Sequence, residues 1–197
     1  MSRARQSAAQ SKRKRSGESL QRDVDKYHAG LRDLGVHVYP VPPEFRVMGT
    51  SGKTGRHTGF FVGAGPCDYG GTVDGVPIHF DVKRCTEERF DFSRLVHVNR
   101  RTKERDPSQA RHLDACLSAG GAPFLFVQWT SGGTITPVVL PWFEIKGAFW
   151  HWFEHGGRPA SVPRSEALAL GYRCNGLVSW VPAFREWQEC WVDNEST

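Results

Sequence analysis

Pro66-Cys-Asp-Tyr-Gly-Gly-Thr-Val-Asp-Gly-Val-Pro-Ile-His-Phe-Asp-Val-Lys83 is the stretch around which the chain is organised. Asp68 and Asp81 stand thirteen residues apart, and Lys83 follows two beyond the second. Gly70-Gly71 and Asp74-Gly75 are turn chemistry. Ile78 to Val82 then reads as a β-strand. Side chains two apart on a strand share a face, so Asp81 and Lys83 point the same way. If Asp68 opens the first arm of the hairpin, its carboxylate meets theirs. Two carboxylates and an ammonium in one pocket would suit a hard metal ion held against a phosphodiester.

A length of 197 residues, 39% of them hydrophobic, supports one domain with a core and appendages. Arg3, Arg5, Lys12, Arg13, Lys14 and Arg15 put six cations and no acid in residues 1–15. Taking those six from the net charge of +5 leaves −1 for the remainder, so the basic character belongs to the arm. Such an arm suggests nucleic acid. The five cysteines form no CxxC pair, and their odd number argues against a secreted disulfide framework. A reducing cytoplasm fits best. No apolar run approaches the ~20 residues of a membrane span. The N-terminus lacks the apolar segment of a secretory signal.

In chain order, residues 1–15 read as a disordered basic arm. A helix starts near Ser16, with Leu20, Val24, Tyr27 and Leu31 at helical spacing and Gly35 as its stop. Glu18, Gln21 and Asp25 lie on neighbouring turns of it. Val36 to Tyr39 is a short strand. Residues 44–65 set Arg46, Lys53, Arg56 and His57 among six glycines, which makes a long loop or a projecting glycine-rich hairpin. Gly52-Lys53-Thr54 is not a phosphate-binding loop, because Val47 stands where that motif needs glycine.

Residues 85–105 are charged, with few structural signals beyond Phe90, Phe92, Leu95 and Val98. Asp106-Pro107 reads as a helix cap followed by proline, opening a helix that carries Gln109 and stops at Gly120-Gly121. Pro123 to Trp129 is a strand buried on both faces, and Ser131-Gly-Gly133 turns it into a second strand over 134–140. Pro141 opens a helix ending at Gly156-Gly157. The rest, with Trp180, Trp187 and Trp191 among prolines, reads as a wrap of short elements. The expected organisation is an arm (1–15), a core (16–155, with 44–65 projecting) and a C-terminal extension (156–197).

Two other motifs carry little. His151-Trp-Phe-Glu-His155 matches a zinc-protease pattern, but only 42 residues follow it and a further ligand is required. The scattered cysteines and histidines have no zinc-finger spacing. A bare D-x-K triplet is also weak on its own. The aspartate thirteen residues earlier, with hairpin glycines between, strengthens it.

Asp68-Tyr69-x-Gly71 followed by Phe80-Asp81-x-Lys83 resembles the core of the RecU-type Holliday junction resolvases, within the PD-(D/E)xK nuclease superfamily. Gln109, Gly120-Gly121 and Phe124 to Val127 follow in that family's order. The resemblance covers residues 17–145, most specifically 66–129. It implies an α/β fold with a restriction-endonuclease-like core, a central mixed sheet flanked by helices, and a basic stalk over 44–65. It implies a homodimeric, Mg²⁺-dependent endonuclease (Mn²⁺ substituting) that nicks four-way DNA junctions symmetrically. Asp68, Asp81 and Glu18 would bind metal, Lys83 would serve the attacking water, and Gln109 would assist. Arg13, Lys14, Arg15, Arg46, Lys53, Arg56 and Arg84 would contact DNA.

Two departures stand out. Asp81 occupies the place of the family's usual glutamate, and Gln21 aligns with its first-helix glutamate, one turn after Glu18. Either Glu18 or Gln21 approaches the metal, and Glu18 is the expected ligand. A nuclease of the same superfamily that cuts linear duplex, or a non-catalytic DNA-binding recombination protein, would share these features.

Overall fold

The strand periodicity of β5, Val76–Cys85, divides the molecule into two layers. The computed structural model describes residues 18–31, 34–42, 45–50, 57–61, 66–99 and 102–195, with 45–50, 57–61 and 192–195 described by backbone alone. Ile78, Phe80 and Val82 enter one apolar cluster, and Cys85 enters the other. The adjacent strand β9 (Phe124–Ser131) alternates likewise. Phe124 and Phe126 face the first cluster, and Leu125, Val127 and Trp129 the second. Its first six residues are all buried, as a continuous apolar run predicts.

Six strands make the central mixed sheet. They are β1 (Val36–Pro40), β4 (Tyr69–Val73), β5, β9, β10 (Thr134–Pro141) and β12 (Tyr172–Arg173), in the order β1-β4-β5-β9-β10-β12. Only β5 and β9 run parallel. Two hairpins flank that pair. Asp74-Gly75 turns β4 into β5, and Gly132-Gly133, both at positive φ, turn β9 into β10. Gly71 has a more local role, since a Cβ there would lie 1.9 Å from the His37 carbonyl oxygen of β1. Only glycine lets β1 close on β4.

On the first face lie α1 (residues 18–29) and α5 (Trp180–Glu195). They contribute Leu20 and Val24, and Trp180, Phe184 and Trp187. On the second lie α2 (Ser108–Ser118), α3 (Trp142–His155) and α4 (Arg164–Leu170), supplying Leu113, Trp142, Ile145, Phe149 and Ala167. The fold is therefore α/β, a mixed sheet between helices. Small two-stranded ladders complete it. β2 (Phe45–Thr50) pairs with β3 (His57–Phe61), β6 (Arg89–Asp91) with β11 (Ser161–Pro163), and β7 (His97–Val98) with β8 (Arg105–Asp106).

Two sequence expectations are corrected. Asp106 does not cap α2. It is extended and paired with His97 in the β7–β8 ladder, so Pro107 takes the cap position and no side chain caps the helix. Residues 156–197 are not only short elements, because α5 runs for 16 residues. Pro182 falls in its first turn, where its missing N–H removes no helical bond. Trp180, Phe184, Trp187 and Trp191 then repeat at helical spacing, the first three buried.

Among the described residues the buried polar side chains are His28, Asp81 and Gln128. His28 of α1 sits edge-on to Tyr69, Phe80 and Trp180, and its Nε2 accepts from the Trp180 indole N–H at 3.0 Å. Burial lowers its pKa from 6.5 to about 4, against a small opposing pull from Asp25. The unfolded chain therefore binds this proton first. The stability concerned is complete above pH 6.5, on the order of 3 kcal/mol, and is lost as pH falls toward 4. We expect His28→Gln to shrink the difference between urea midpoints at pH 7 and pH 4.5. An unchanged difference would remove His28 from the account.

Candidate active site

The β4–β5 register builds the site. Tyr69 pairs with Phe80, so Asp68, the residue just before β4 begins, opposes Asp81 as the next rung, where β5 continues against β9. The two aspartates clasp each other through backbone. The Asp68 N–H donates to Asp81 Oδ1 at 3.0 Å, and the Val82 N–H donates to Asp68 Oδ2 at 2.8 Å. Lys83, two residues along the same face, brings its Nζ to 3.5 Å from Asp81 Oδ2. From above, α2 lowers Gln109 onto the pair. The Gln109 Nε2 donates to Asp81 Oδ1 at 3.4 Å, and its Oε1 accepts from Lys83 Nζ at 3.5 Å. Asp68, Asp81, Lys83 and Gln109 thus meet in one hydrogen-bonded group.

Asp81 is fully buried, and its Oδ2 has no hydrogen-bond partner, only the Lys83 ammonium beyond hydrogen-bond geometry. Burial pushes the Asp81 carboxyl up to about 6, with Lys83 pulling down and Asp68 adding to the rise. For Lys83, burial acts to lower the pKa, but the Asp81 and Asp68 carboxylates outweigh it and the net direction is up. Lys83 is therefore an ammonium at neutral pH. A buried carboxylate oxygen without a donor is costly. A bound cation would satisfy it.

Glu18 lies exposed at the start of α1, a helix that packs by Leu20 and Val24 on the sheet face opposite Asp81 and Lys83. The helix is nevertheless tied beside Asp68. The Tyr69 hydroxyl donates to the Asp25 carboxylate at 2.7 Å and lies 3.2 Å from the Gln21 carbonyl. Arg84 points to that opposite face too, and its Nε donates to the Gln128 side-chain oxygen at 3.0 Å. Arg46 stands on β2, across from Phe60. Arg13, Lys14, Arg15, Lys53 and Arg56 lie outside the described residues.

Sequence reasoning missed a second cluster. Cys67, His79 and His112 come together directly beside the aspartates, with donor atoms all within 4.8 Å of one another. Their sequence separations match no metal-binding motif. A signal does exist in retrospect, because each lies one, two or three residues from Asp68, Asp81 or Gln109.

The sequence model of the family described as Recombination protein U matches residues 35–160, well over half of the chain. The Holliday junction resolvase RecU of Ligilactobacillus salivarius (strain UCC118) is 24% identical over 168 residues, which are 83% of this chain and 72% of that protein. The family match spans Asp68, Asp81, Lys83 and Gln109 together with five of the six strands of the central sheet, β12 lying beyond it. The chain belongs to the Recombination protein U (RecU) family.

Proposed function

We propose that this chain is a divalent-metal-dependent endonuclease that resolves four-way DNA junctions by paired, symmetric nicks. The observation that carries the reading is the fully buried Asp81 Oδ2, which accepts no hydrogen bond and meets only the Lys83 ammonium at 3.5 Å, beside Asp68. The name of the Ligilactobacillus relative supports the substrate. The oxygen donors suit Mg²⁺, with Mn²⁺ able to substitute, and Asp68 and Asp81 would hold it. Glu18 is proposed as a further ligand from the first helix. When bound, the ion would acidify a water and offset charge gathering on the phosphate.

The protein's own groups do the rest. Lys83, held protonated by its carboxylate neighbours, donates from Nζ to the attacking water or to the phosphoryl oxygen that gains charge. Gln109 keeps Lys83 and Asp81 in register through its two amide atoms. Arg46, Lys53, Arg56, Arg84 and the arm residues Arg13, Lys14 and Arg15 are proposed to engage DNA phosphates, which makes affinity fall with salt. Two cuts related by a two-fold axis call for two copies of one site, hence a homodimer. Among the described residues no helix is long and apolar enough to cross a membrane. A DNA-acting enzyme with free cysteines fits the cytoplasm.

The test incubates the protein with a four-way junction and a linear duplex of matched sequence, with and without Mg²⁺. Paired nicks in the junction alone, dependent on Mg²⁺, are expected. Equal cutting of the linear duplex would overturn the substrate assignment, and binding without cutting would overturn the enzymatic one.

A further inference from the structure

Three side chains that the acidic site does not use converge behind it. Cys67 precedes Asp68 and is buried. His79 lies two residues before Asp81 on the same face of β5, and His112 one turn after Gln109 on α2. The Cys67 Sγ is 3.5 Å from His79 Nδ1, and His112 Nε2 is 2.8 Å from the same nitrogen. The two imidazoles meet edge to face, with centroids 4.6 Å apart. The His79 ring is tightly seated, since a Cβ on Gly70, its cross-strand neighbour, would lie 3.0 Å from Cε1 and 3.2 Å from Nδ1.

Two of the three separations are close to those of a tetrahedral zinc shell, and the third, Cys67 to His112, lies within 4.8 Å. With ordinary Zn–S and Zn–N bonds, sulfur and nitrogen ligands stand about 3.6 Å apart and two nitrogens about 3.3 Å apart. The sulfur–nitrogen distance already matches. The two nitrogens need to part by about half an ångström, which exchanges their hydrogen bond for two metal bonds. One thiolate and two imidazoles favour zinc-class ions, where Asp68 and Asp81 offer the oxygens that Mg²⁺ prefers.

We propose that Cys67, His79 and His112 form a binding site for a zinc-class dication, distinct from the Asp68–Asp81 pair, with water as the fourth ligand. Binding releases one proton, from the Cys67 thiol. The proton shared between His79 Nδ1 and His112 Nε2 moves to the far nitrogen of whichever ring carries it, without net loss. Cys116 lies nearby but stands outside the cluster of three; its thiol meets the His79 backbone, as that of Cys67 donates to the Tyr69 carbonyl at 3.2 Å. An ion here would join the 66–68 segment, β5 and α2, the three pieces that carry Asp68, Asp81 and Gln109. The proposal does not depend on the nuclease reading.

The test titrates the chelator-stripped full chain with Co²⁺ alone. One equivalent is expected to give tetrahedral visible absorption and a near-ultraviolet thiolate-to-cobalt band, displaced by Zn²⁺ and not by Mg²⁺. Cys67→Ser should remove the thiolate band, and His112→Gln should weaken Co²⁺ binding by more than about tenfold, as loss of even an outer partner can. Cys116→Ser and Asp81→Asn should keep the band. If Cys67→Ser loses its circular dichroism, the half-exposed His112 variant decides. No thiolate band at saturating Co²⁺, a band surviving Cys67→Ser in the folded variant, undiminished affinity in His112→Gln, or displacement by Mg²⁺ would overturn the proposal. Junction cleavage is a separate readout, so its failure does not touch this one.

Discussion

Asp81→Asn is expected to reduce Mg²⁺-dependent junction cleavage by about 10³-fold or more, the order that loss of one preorganised charge-stabilising group costs. Junction binding should persist. The amide keeps an Oδ1 that can accept the Asp68 N–H, so the β4–β5 clasp is preserved while one anionic ligand is lost. Thermal melting gives a second readout. Mg²⁺ should raise the melting temperature of the natural protein by mass action and leave that of Asp81→Asn nearly unmoved. Retained cleavage, or an equal Mg²⁺ shift in both proteins, would sink the assignment of Asp81 to the metal.

The largest effect on stability is expected from the neighbouring residue. Phe80 is fully buried, stacked on Phe124 at 4.5 Å and on Tyr69 at 5.1 Å between centroids, with the Trp180 indole at 5.0 Å. It joins β4, β5, β9 and α5 in one aromatic column. Phe80→Ala removes the ring and leaves a cavity that these three rigid aromatic walls cannot fill. A loss of about 4 kcal/mol follows, a large part of what a domain of this kind holds in reserve. In urea the midpoint should fall by about 2 M, taking a slope of about 2 kcal/mol per molar. Phe80→Leu should recover most of it. A shift under about 1 kcal/mol in the alanine variant would mean that the column relaxes around the gap.

The sheet and the acidic group were legible for different reasons. Phe124 to Val127 announced a central strand because a strand covered on both faces has no polar side to write. Asp81 and Lys83 were readable as neighbours because the two-residue repeat of a strand is local. Asp68 needed only a hairpin turn, and Gln109 only its place in a familiar order. Cys67, His79 and His112 had no such route. What unites them is the pairing of β4 on β5 and the packing of α2 over it, and neither leaves a fixed spacing in sequence. The helical cap was misread because Asp106 suits both a cap and an extended rung, and the β7–β8 ladder decides between them. The final helix was hidden by Pro182, which breaks a helix interior and fits a first turn equally well. Glu18 stays a proposal, because strand arithmetic says nothing about how a helix end is aimed.

The family match ends at residue 160, but Trp180, Phe184 and Trp187 of α5 cover the face that Phe80 and Phe124 present. Arg185 fastens that helix to the hairpin turn, its Nε and Nη2 donating to the two Asp74 carboxylate oxygens at 2.7 and 2.9 Å. The helix emerges from the ribosome after every strand it shields. Until then the nascent chain shows an open aromatic face, a surface of the sort that recruits chaperones.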